Sequence, residues 1–205
     1  MYAIVTNNEI TKIITNPKSL VIGDVRHSRK IFELWSKSEL AAIGIYEITF
    51  DNSKKKDERW YINTNQTYTY DASAGTVTAT YGTATAKAHA DSNAVDEDGN
   101  NILDKDGNQV INYGLKTEKK KIVKQQASGL LAPTDWYVVK ASEVADYSVP
   151  SNITTFRADV RTKSNEMETQ IDACTNVDEL KELYEYTQNE DGTTTRPLAE
   201  FPEEI

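Results

Sequence analysis

The sequence predicts an α+β fold with a β-rich N-terminal part, made of hairpins and a small sheet, and a helical-hairpin C-terminal part. In residues 1–82 short apolar runs alternate with turn residues, which is typical of strands. In residues 115–205 apolar residues recur every three to four positions, which is typical of helices. Residues 83–114 are rich in Ala, Thr, Ser and Asp-Gly turns, and we interpret them as a linker or arm.

Charge and composition restrict the partners. The 205 residues are 38% hydrophobic with a net charge of −9, which divides into −3 over residues 1–113 and −6 over residues 114–205. An acidic surface repels phosphate backbones, so we expect no nucleic-acid partner. Cys174 is the only cysteine, which excludes an internal disulfide and a thiolate-rich metal site.

The sequence contains no apolar run of membrane-spanning length, so we expect no membrane insertion. The N-terminal residues lack the basic segment and apolar run of a secretion signal. We therefore expect synthesis in a cytoplasm, followed by release through lysis or within a particle.

A β-hairpin is predicted at the N-terminus. Residues 2–5 and 10–14 are apolar runs separated by Asn7 and Asn8, and asparagine tolerates the positive φ of tight hairpin turns. Further along, Ser36 and Glu39 have the spacing of a capping box. They predict a short helix that ends at Gly44, followed by a strand over residues 45–50.

An aromatic-rich pair of strands follows, with alternating Tyr and Thr before a turn at residues 72–75. The aromatic side chains predict either cross-strand pairs that hold a thin sheet together or a surface on which sugars stack. The residues concerned are Trp60, Tyr61, Tyr68, Tyr70 and Tyr81.

A short internal repeat places similar Asp-Gly segments at residues 96–100 and 104–108. An EF-hand calcium loop needs glycine at position six and glutamate at position twelve, whereas glycine here falls at position four. We therefore predict consecutive β-turns, with residues 102–103 and 110–111 as strands, and no metal site.

Residues 116–131 form a basic amphipathic pattern that predicts a helix. Pro133 is expected to end it, because proline disfavours the helical conformation of the residue before it. Residues 136–139 (Trp-Tyr-Val-Val) then favour an extended segment. We expect Trp136 to cover the apolar core of the C-terminal part, and a ligand-stacking role is the alternative.

A long helix is predicted from Ser151, with a narrow apolar stripe that should pack on the helix at 116–131. Residues 113–145 carry six basic and three acidic groups, and residues 146–205 carry five and fourteen, which supports this pairing. A third helix is predicted at 177–186, capped by Asn176. The stripe consists of Ile153, Phe156, Val160, Met167 and Ile171.

No residue cluster predicts catalysis. His27 and His89 lack a nearby Cys or His at ligand spacing, and no nucleophile elbow, P-loop or dinucleotide fingerprint is present. Acidic residues near Cys174 should raise the pKa of its thiol. We predict a non-enzyme with no catalytic, cofactor-binding or metal-ligating residues and no cofactor.

Two stretches resemble bacteriophage tail proteins. Residues 38–47 (SELAAIGIYE) resemble a segment of N-terminal domains in phage tail and tail-fibre-associated proteins. Residues 130–161 resemble a C-terminal domain of many phage tail proteins that is often labelled a tail assembly chaperone. Phe156 stands where tyrosine is usual, and Phe201-Pro202 replaces a terminal Trp-Pro. The matching residues are Leu130, Leu131, Thr134, Asp135, Trp136, Phe156, Arg157, Val160 and Arg161.

The resemblance implies a virion or virion-assembly context. We expect a non-enzymatic structural protein of the phage tail, in the baseplate or at a tail-fibre root, that acts through protein–protein interfaces. Residues 1–82 would dock to another virion protein. The low hydrophobic content and narrow stripe suggest a homo-oligomer, for which a trimer is our first guess.

Two alternatives remain open. One is a tail-fibre assembly chaperone that is not retained in the virion. The other is a receptor-binding adhesin that uses the tyrosine-rich strands on a host surface glycan. A glycan hydrolase ranks last, because it needs two carboxylates held across a cleft, and the sequence offers no framework for such a cleft.

Overall fold

The computed structural model describes residues 1–205 and confirms the predicted α+β class. The chain divides into two compact units, Met1–Thr85 and Ala86–Ile205. The elements up to this boundary are β1 (Tyr2–Thr6), β2 (Glu9–Ile14), β3 (Leu20–Ile22), β4 (Val25–His27), α1 (Ile31–Leu34), α2 (Lys37–Ala42), β5 (Ile45–Asp51), β6 (Tyr61–Ile62), β7 (Thr67–Asp71), β8 (Thr76–Thr80) and β9 (Thr85–Ala86).

A five-stranded sheet in the order β2-β1-β5-β8-β7 forms the first unit. Strands β5 and β8 are parallel, and the other neighbours are antiparallel. The sheet curls, so that β2 approaches β7 and the inner face encloses a core. The buried residues of this core are Ala3, Ile48, Val77 and Ala79, with Tyr46, Tyr68 and Tyr70 packed against them.

The outer face of the sheet is covered by α1, α2 and the β3–β4 hairpin. Ile45 of the sheet is buried against Ile31 and Leu40 of the two helices. Leu20 and Ile22 of the hairpin pack on the same cluster. Because alternate residues of a strand point to opposite faces, β5 can supply both cores.

The predicted N-terminal turns and caps are confirmed. Asn7 and Asn8 have φ values of 54° and 63° between β1 and β2. Ser36 and Glu39 form the reciprocal capping box, with Ser36 N donating to Glu39 Oε2 at 2.8 Å. Gly44 has a φ of 78°, and a Cβ there would lie 2.7 Å from the carbonyl oxygen of Val5. Only glycine therefore fits the point where α2 turns into β5.

The second unit contains two long helices that form the predicted hairpin. The apolar stripe of the longer helix is buried as expected, and its Phe156 and Val160 pack against Ala127 of the other. After the boundary the elements are β10 (Ser92–Asn93), β11 (Ile111–Asn112), α3 (Leu115–Leu131), a 3₁₀ turn (Ala132–Thr134), α4 (Asp135–Glu143), α5 (Ser151–Ala173), α6 (Val177–Glu182), β12 (Thr187–Gln188) and β13 (Thr194–Thr195).

The Asp-Gly repeat forms the two predicted turns, and the segments around them close into a ring. The amide of Ile102 donates to the carbonyl of Ala94, Val110 donates to Ile102, and Ala94 donates to Val110, at 2.8–2.9 Å. Ala94, Ile102 and Val110 are eight residues apart, which is the offset of the Asp-Gly repeat. The repeat therefore brings these three equivalent residues together in one hydrogen-bonded ring. A third turn of the same kind, at residues 189–193, joins β12 to β13.

Four local predictions are wrong, one of which is the strand at residues 102–103, where the structure has only an isolated bridge between Leu103 and Gln109. Residues 136–139 are helical within α4 rather than extended, and Trp136 is 52% exposed rather than part of the core. Helix α3 ends at Leu131, before Pro133, as predicted, but Ala132 keeps a helical conformation. Pro133 lies within the 3₁₀ turn that links α3 to α4, where a missing N–H costs little because the first turn of a helix has no partner for it. The third helix, α6, ends at Glu182 instead of residue 186.

Candidate interaction surface

Arg157 connects the residues of the 130–161 motif. This residue is 8% exposed and lies on α5. Its Nη1 donates to the carbonyl of Leu131 at 3.0 Å and to Oγ1 of Thr134 at 2.5 Å. Its Nη2 lies 2.8 Å from Oδ1 of Asp135. We call Leu131, Thr134, Asp135 and Arg157 the Arg157 clasp.

The Arg157 clasp supplies the hydrogen-bond acceptors without which burial of the Arg157 guanidinium would be costly. A buried guanidinium requires acceptors in its plane, and the clasp supplies a backbone carbonyl, a hydroxyl and a carboxylate. Leu131 is the last residue of α3, so its carbonyl has no partner within that helix. Asp135 is the first residue of α4. The clasp therefore fixes the end of one helix and the start of the next.

Helix α4 contains no buried residue. The rings of Trp136 and Tyr137 stack with centroids 3.8 Å apart. Large apolar side chains in and just after the helix are exposed, which is unusual for a nine-residue helix in a folded unit. These side chains are Trp136, Val138, Val139 and Val144.

One side of α4 combines this apolar area with two charges. Trp136, Val139, Lys140 and Glu143 lie at positions i, i+3, i+4 and i+7, which places them on a single helix face. All four side chains are exposed. We call these four residues the α4 surface.

The two charges on the α4 surface have no ion-pair partner within the chain. Lys140 Nζ lies 4.3 Å from the ring centroid of Tyr147 and 5.8 Å from that of Trp136, but near no carboxylate. Glu143 makes no ion pair. The remaining carboxylate of this helix, Asp135, is held by Arg157.

The aromatic residues of the first unit are mostly packed. Trp60 and Tyr61 are buried, so neither is available to stack on a sugar. Tyr68 and Tyr70 are half-buried against the inner core of the sheet. The hydroxyl of Tyr70 donates to that of Tyr46 at 3.0 Å, and their rings lie 4.9 Å apart. These aromatic side chains therefore mainly pack within the first unit.

The two histidines and the single cysteine lie in three different surroundings. His27 meets Trp35 edge-on with centroids 5.7 Å apart. Burial lowers the pKa of His89, with Lys116 adding to the effect, and its Nε2 is buried without a hydrogen-bond partner. Burial raises the pKa of the Cys174 thiol, to which the Glu179 carboxylate adds. No group of three or more His, Cys, Asp or Glu side chains is arranged to hold a metal ion.

A groove with a volume of about 780 Å³ lies along α3, lined by Tyr113, three lysines, Glu118 and uncharged polar side chains. Its positive charge is largely neutralised from α5. Lys120 Nζ lies 2.8 Å from Asp172 Oδ1, and Lys124 Nζ lies 3.2 Å from Glu168 Oε2. Lys120 and Lys124 therefore contribute to the contact between α3 and α5.

The exposed character of α4 is the feature of the candidate surface that the sequence prediction missed. Two signals in the sequence could have indicated that α4 is helical, although not that its apolar side chains are exposed. Pro133 followed by Asp135 is a pattern of helix starts, since proline fits the first turn and an acidic residue is favoured near a helix N-terminus. The spacing of the α4 surface is also helical.

Comparison of the chain with protein-family models, curated proteins and solved structures finds no match. None of the helices combines the length and apolar character needed to cross a membrane.

Proposed function

We propose that this chain is a non-enzymatic structural component of a bacteriophage tail, placed in the baseplate or at the root of a tail fibre. It acts through protein–protein interfaces. The observation that supports this proposal most strongly is the exposed apolar helix α4, held in place by the Arg157 clasp.

The residues of the resemblance divide into two roles. Thr134, Asp135 and Arg157 hold the elbow between α3 and α4, whereas Trp136 faces solvent. Exposed apolar patches are costly in an isolated protein and commonly mark partner surfaces. Tryptophan is also enriched among the residues that dominate interface energies. A motif that combines a buried clasp with an exposed tryptophan therefore suits an assembly protein.

In this proposal each unit has its own task. The first unit, which carries the segment at residues 38–47, docks to another virion protein. The helices of the second unit pack against copies of this chain or against a fibre. Both tasks require surfaces rather than a cleft with reactive groups.

The assembly chaperone is the second candidate, because the α4 surface would suit a client protein equally well. The two candidates differ in whether the chain stays in the particle. The adhesin has less support, since Trp60 and Tyr61 are buried and only part of the aromatic set remains accessible.

The first experiment is quantitative mass spectrometry of gradient-purified particles of the phage that encodes the chain. We expect the chain at a copy number that matches a tail symmetry. Abundance in the lysate with absence from particles would favour the chaperone. Presence in particles, together with loss of host-cell binding in Tyr68→Ser/Tyr70→Ser phage that keep the wild-type folded yield and copy number of the chain, would favour the adhesin.

A variant series tests whether α4 carries the incorporation. Phage that encode the double variant Trp136→Ser/Val139→Ser should incorporate less of the chain into particles. The folded yield of the chain in the lysate should be unchanged. Ile122→Ser is the matched control, because Ile122 is an exposed apolar residue on α3. Equal incorporation of the α4 variant and the Ile122→Ser control would contradict a role for the α4 surface.

A further inference from the structure

We infer that copies of this chain associate head to tail, through two exposed surfaces of opposite charge. One surface belongs to the first unit and is built by α1 and the β3–β4 hairpin. The other belongs to the second unit and is built by the two turns of the Asp-Gly repeat. The inference goes beyond the proposed virion role, since self-association is a property of the isolated chain.

The surface on the first unit exposes large apolar side chains where α1 meets β4. Leu34 is 75% exposed, and Val25 and Trp35 are exposed as well. The ring of Trp35 meets that of His27 on β4. Val25 lies two positions before His27, which places both on the same face of that strand. These apolar side chains therefore lie close to one another.

Positive charge surrounds this apolar area. Residues 18–35 carry four basic and two acidic side chains, a net charge of +2 in a chain whose net charge is −9. Arg26 and Lys30 are exposed and make no ion pair. Lys30 lies one helical turn from Leu34, whose amide donates to the carbonyl of Lys30 at 3.0 Å. We give the name basic patch to Val25, Arg26, Lys30, Leu34 and Trp35.

The surface on the second unit is formed by the Asp-Gly repeat. Val95 and Leu103 occupy equivalent positions, because each directly follows a residue of the hydrogen-bonded ring. Ala94 of the ring is buried, whereas Val95 and Leu103 are exposed, as expected where neighbouring residues point to opposite faces. The repeat therefore places two exposed apolar side chains on the same side of the ring.

Negative charge surrounds these two side chains. Residues 94–110 carry five acidic side chains and one basic side chain, a net charge of −4. Three exposed carboxylates among them make no ion pair. Each lies within three residues of Val95 or Leu103, which is at most about 10 Å along the chain. We give the name acidic patch to Val95, Glu97, Asp98, Leu103 and Asp106.

The basic patch and the acidic patch are complementary to each other, and neither is complementary to itself. An apolar centre surrounded by polar groups is typical of protein interfaces. Opposite charges around the two centres attract, whereas two basic patches or two acidic patches would repel. Every copy of the chain therefore carries a matching surface for each patch of another copy.

Contact between unlike patches is heterologous. Each copy that joins through its basic patch still presents its acidic patch, so the contact recurs until the copies close into a ring or extend as a chain. This geometry accommodates the trimer suggested by composition, as the ring of three copies.

The contact is small, so the association should be weak. A standard stable interface takes roughly 20–30 residues from each partner, several times the number in either patch. We therefore expect reversible association that is favoured at high local concentration, as in an assembled particle.

Sedimentation equilibrium of the full chain measures the association directly. We expect the average mass to rise over a concentration range of about 10 μM to 1 mM, chosen for a weak interface. Raising the salt concentration from about 0.05 M to 0.5 M should weaken the association, because salt screens exposed charges. A monomer throughout the range at low salt would overturn the inference.

Two double variants each disable one patch. Lys30→Gln/Leu34→Ser changes the basic patch, and Glu97→Gln/Leu103→Ser changes the acidic patch. Each variant neutralises one exposed charge and removes one exposed leucine. Either variant alone should associate at least about tenfold more weakly than the wild-type chain. Wild-type association of either variant would contradict the contact between unlike patches.

Mixing the two variants tests the pairing itself. One variant keeps an intact acidic patch and the other keeps an intact basic patch. An equimolar mixture should therefore form a 1:1 heterodimer at concentrations where each variant alone is monomeric. Sedimentation velocity with one variant fluorescently labelled detects this species. Its absence would overturn the inference, since neither a contact within one chain nor a contact between like patches is restored by mixing.

Matched controls make the same kinds of change at exposed positions outside both patches. Lys121→Gln/Ile122→Ser on α3 removes a positive charge and an apolar side chain, and Glu204→Gln/Ile205→Ser removes a negative charge and an apolar side chain. Both should associate as the wild-type chain does. Weakening as strong as in the patch variants would place the contact elsewhere. Far-ultraviolet circular dichroism of each variant verifies that the fold is retained.

Because these measurements use the isolated chain, their outcome does not depend on the virion role. A monomeric chain found in purified particles would overturn only the inference. A self-associating chain absent from particles would overturn only the proposed tail component.

Discussion

At the residue scale, Arg157 decides how the chain turns between α3 and α4. Proline at position 133 interrupts the regular helix, but it does not fix the direction in which the chain continues. The guanidinium fixes that direction by binding the carbonyl of Leu131, the hydroxyl of Thr134 and the carboxylate of Asp135. Lysine could not reproduce this planar set of donors.

Arg157→Met should lower the free energy of unfolding by about 1–3 kcal/mol, because it removes the charged donor to the buried hydroxyl of Thr134 and one of the two donors to the carbonyl of Leu131, which keeps only the Thr134 hydroxyl. Urea denaturation followed by circular dichroism measures this loss. Arg161→Met is the control, since Arg161 is exposed and donates only to the carbonyl of Arg157. Its effect should stay within about 0.5 kcal/mol. Equal losses in the two variants would mean that the clasp does not stabilise the fold.

Acid should destabilise the two Asp-Gly turns. Backbone N–H donors, chiefly those of Asn100 and Asn108, hold the pKa values of Asp96 and Asp104 below the usual 3.8. A carboxylate with a lower pKa in the folded state stabilises the fold at pH above the unfolded value. That contribution is lost as the pH falls through the folded pKa.

We therefore expect the melting temperature to be nearly constant from about pH 7 to 5 and to fall below about pH 4. In the Asp96→Asn/Asp104→Asn variant this fall should be shallower, because two of the groups that titrate have been removed. It should not vanish, since hydrogen bonds also lower the pKa values of Asp71 and Asp191. An unchanged slope in scanning calorimetry would contradict this account.

At the element scale, apolar burial and ion pairs both join α3 to α5, and their magnitudes differ. Lys120 and Lys124 make ion pairs with Asp172 and Glu168, but these groups remain partly exposed. Exposed pairs contribute about 0–1 kcal/mol, whereas a buried aliphatic side chain contributes several times more. The apolar stripe therefore stabilises the pairing, and the charges guide its register.

Two neighbouring residues of α5 test this ranking. Ile171 is fully buried, and Ile171→Ala should cost about 2–5 kcal/mol. Asp172 pairs with Lys120 at the surface, and Asp172→Asn should cost about 1 kcal/mol or less. Chemical denaturation of both variants measures the difference. A larger cost for Asp172→Asn would reverse the ranking.

At the scale of the whole molecule, each of the two units has a hydrophobic core of its own. The first encloses Val77 and Ala79 within the curled sheet, and the second buries Val160 between helices. Cores that share no residues can unfold in separate steps.

Scanning calorimetry should therefore resolve two transitions. Val77→Ala should lower the temperature of one, and Val160→Ala that of the other, since each deletes buried methyl groups from a single core. Limited proteolysis near Thr85, where the units divide, should yield a helical fragment. A single transition that both variants shift equally would show that the units unfold together.

The sequence by itself determined the elements whose signals are local. The hairpin around Asn7 and Asn8, the capping box of Ser36 and Glu39, and the Asp-Gly turns were all predicted correctly. Each depends on residues within a few positions of one another, so the chain specifies it without distant contacts. The buried stripe of α5 was predicted for the same reason, because helical periodicity is a local pattern.

Only the tertiary structure decided the character of residues 136–139. Their composition favours a strand and a buried tryptophan, yet they form an exposed helix. The decisive contact comes from Arg157, more than 20 positions further along the chain, which fixes Asp135 at the helix start. The sequence showed the Asp-Gly repeat, but it did not predict the hydrogen-bonded ring of Ala94, Ile102 and Val110. Local propensities contribute at most about 1 kcal/mol per residue, so a buried charged contact from a distant element can override them.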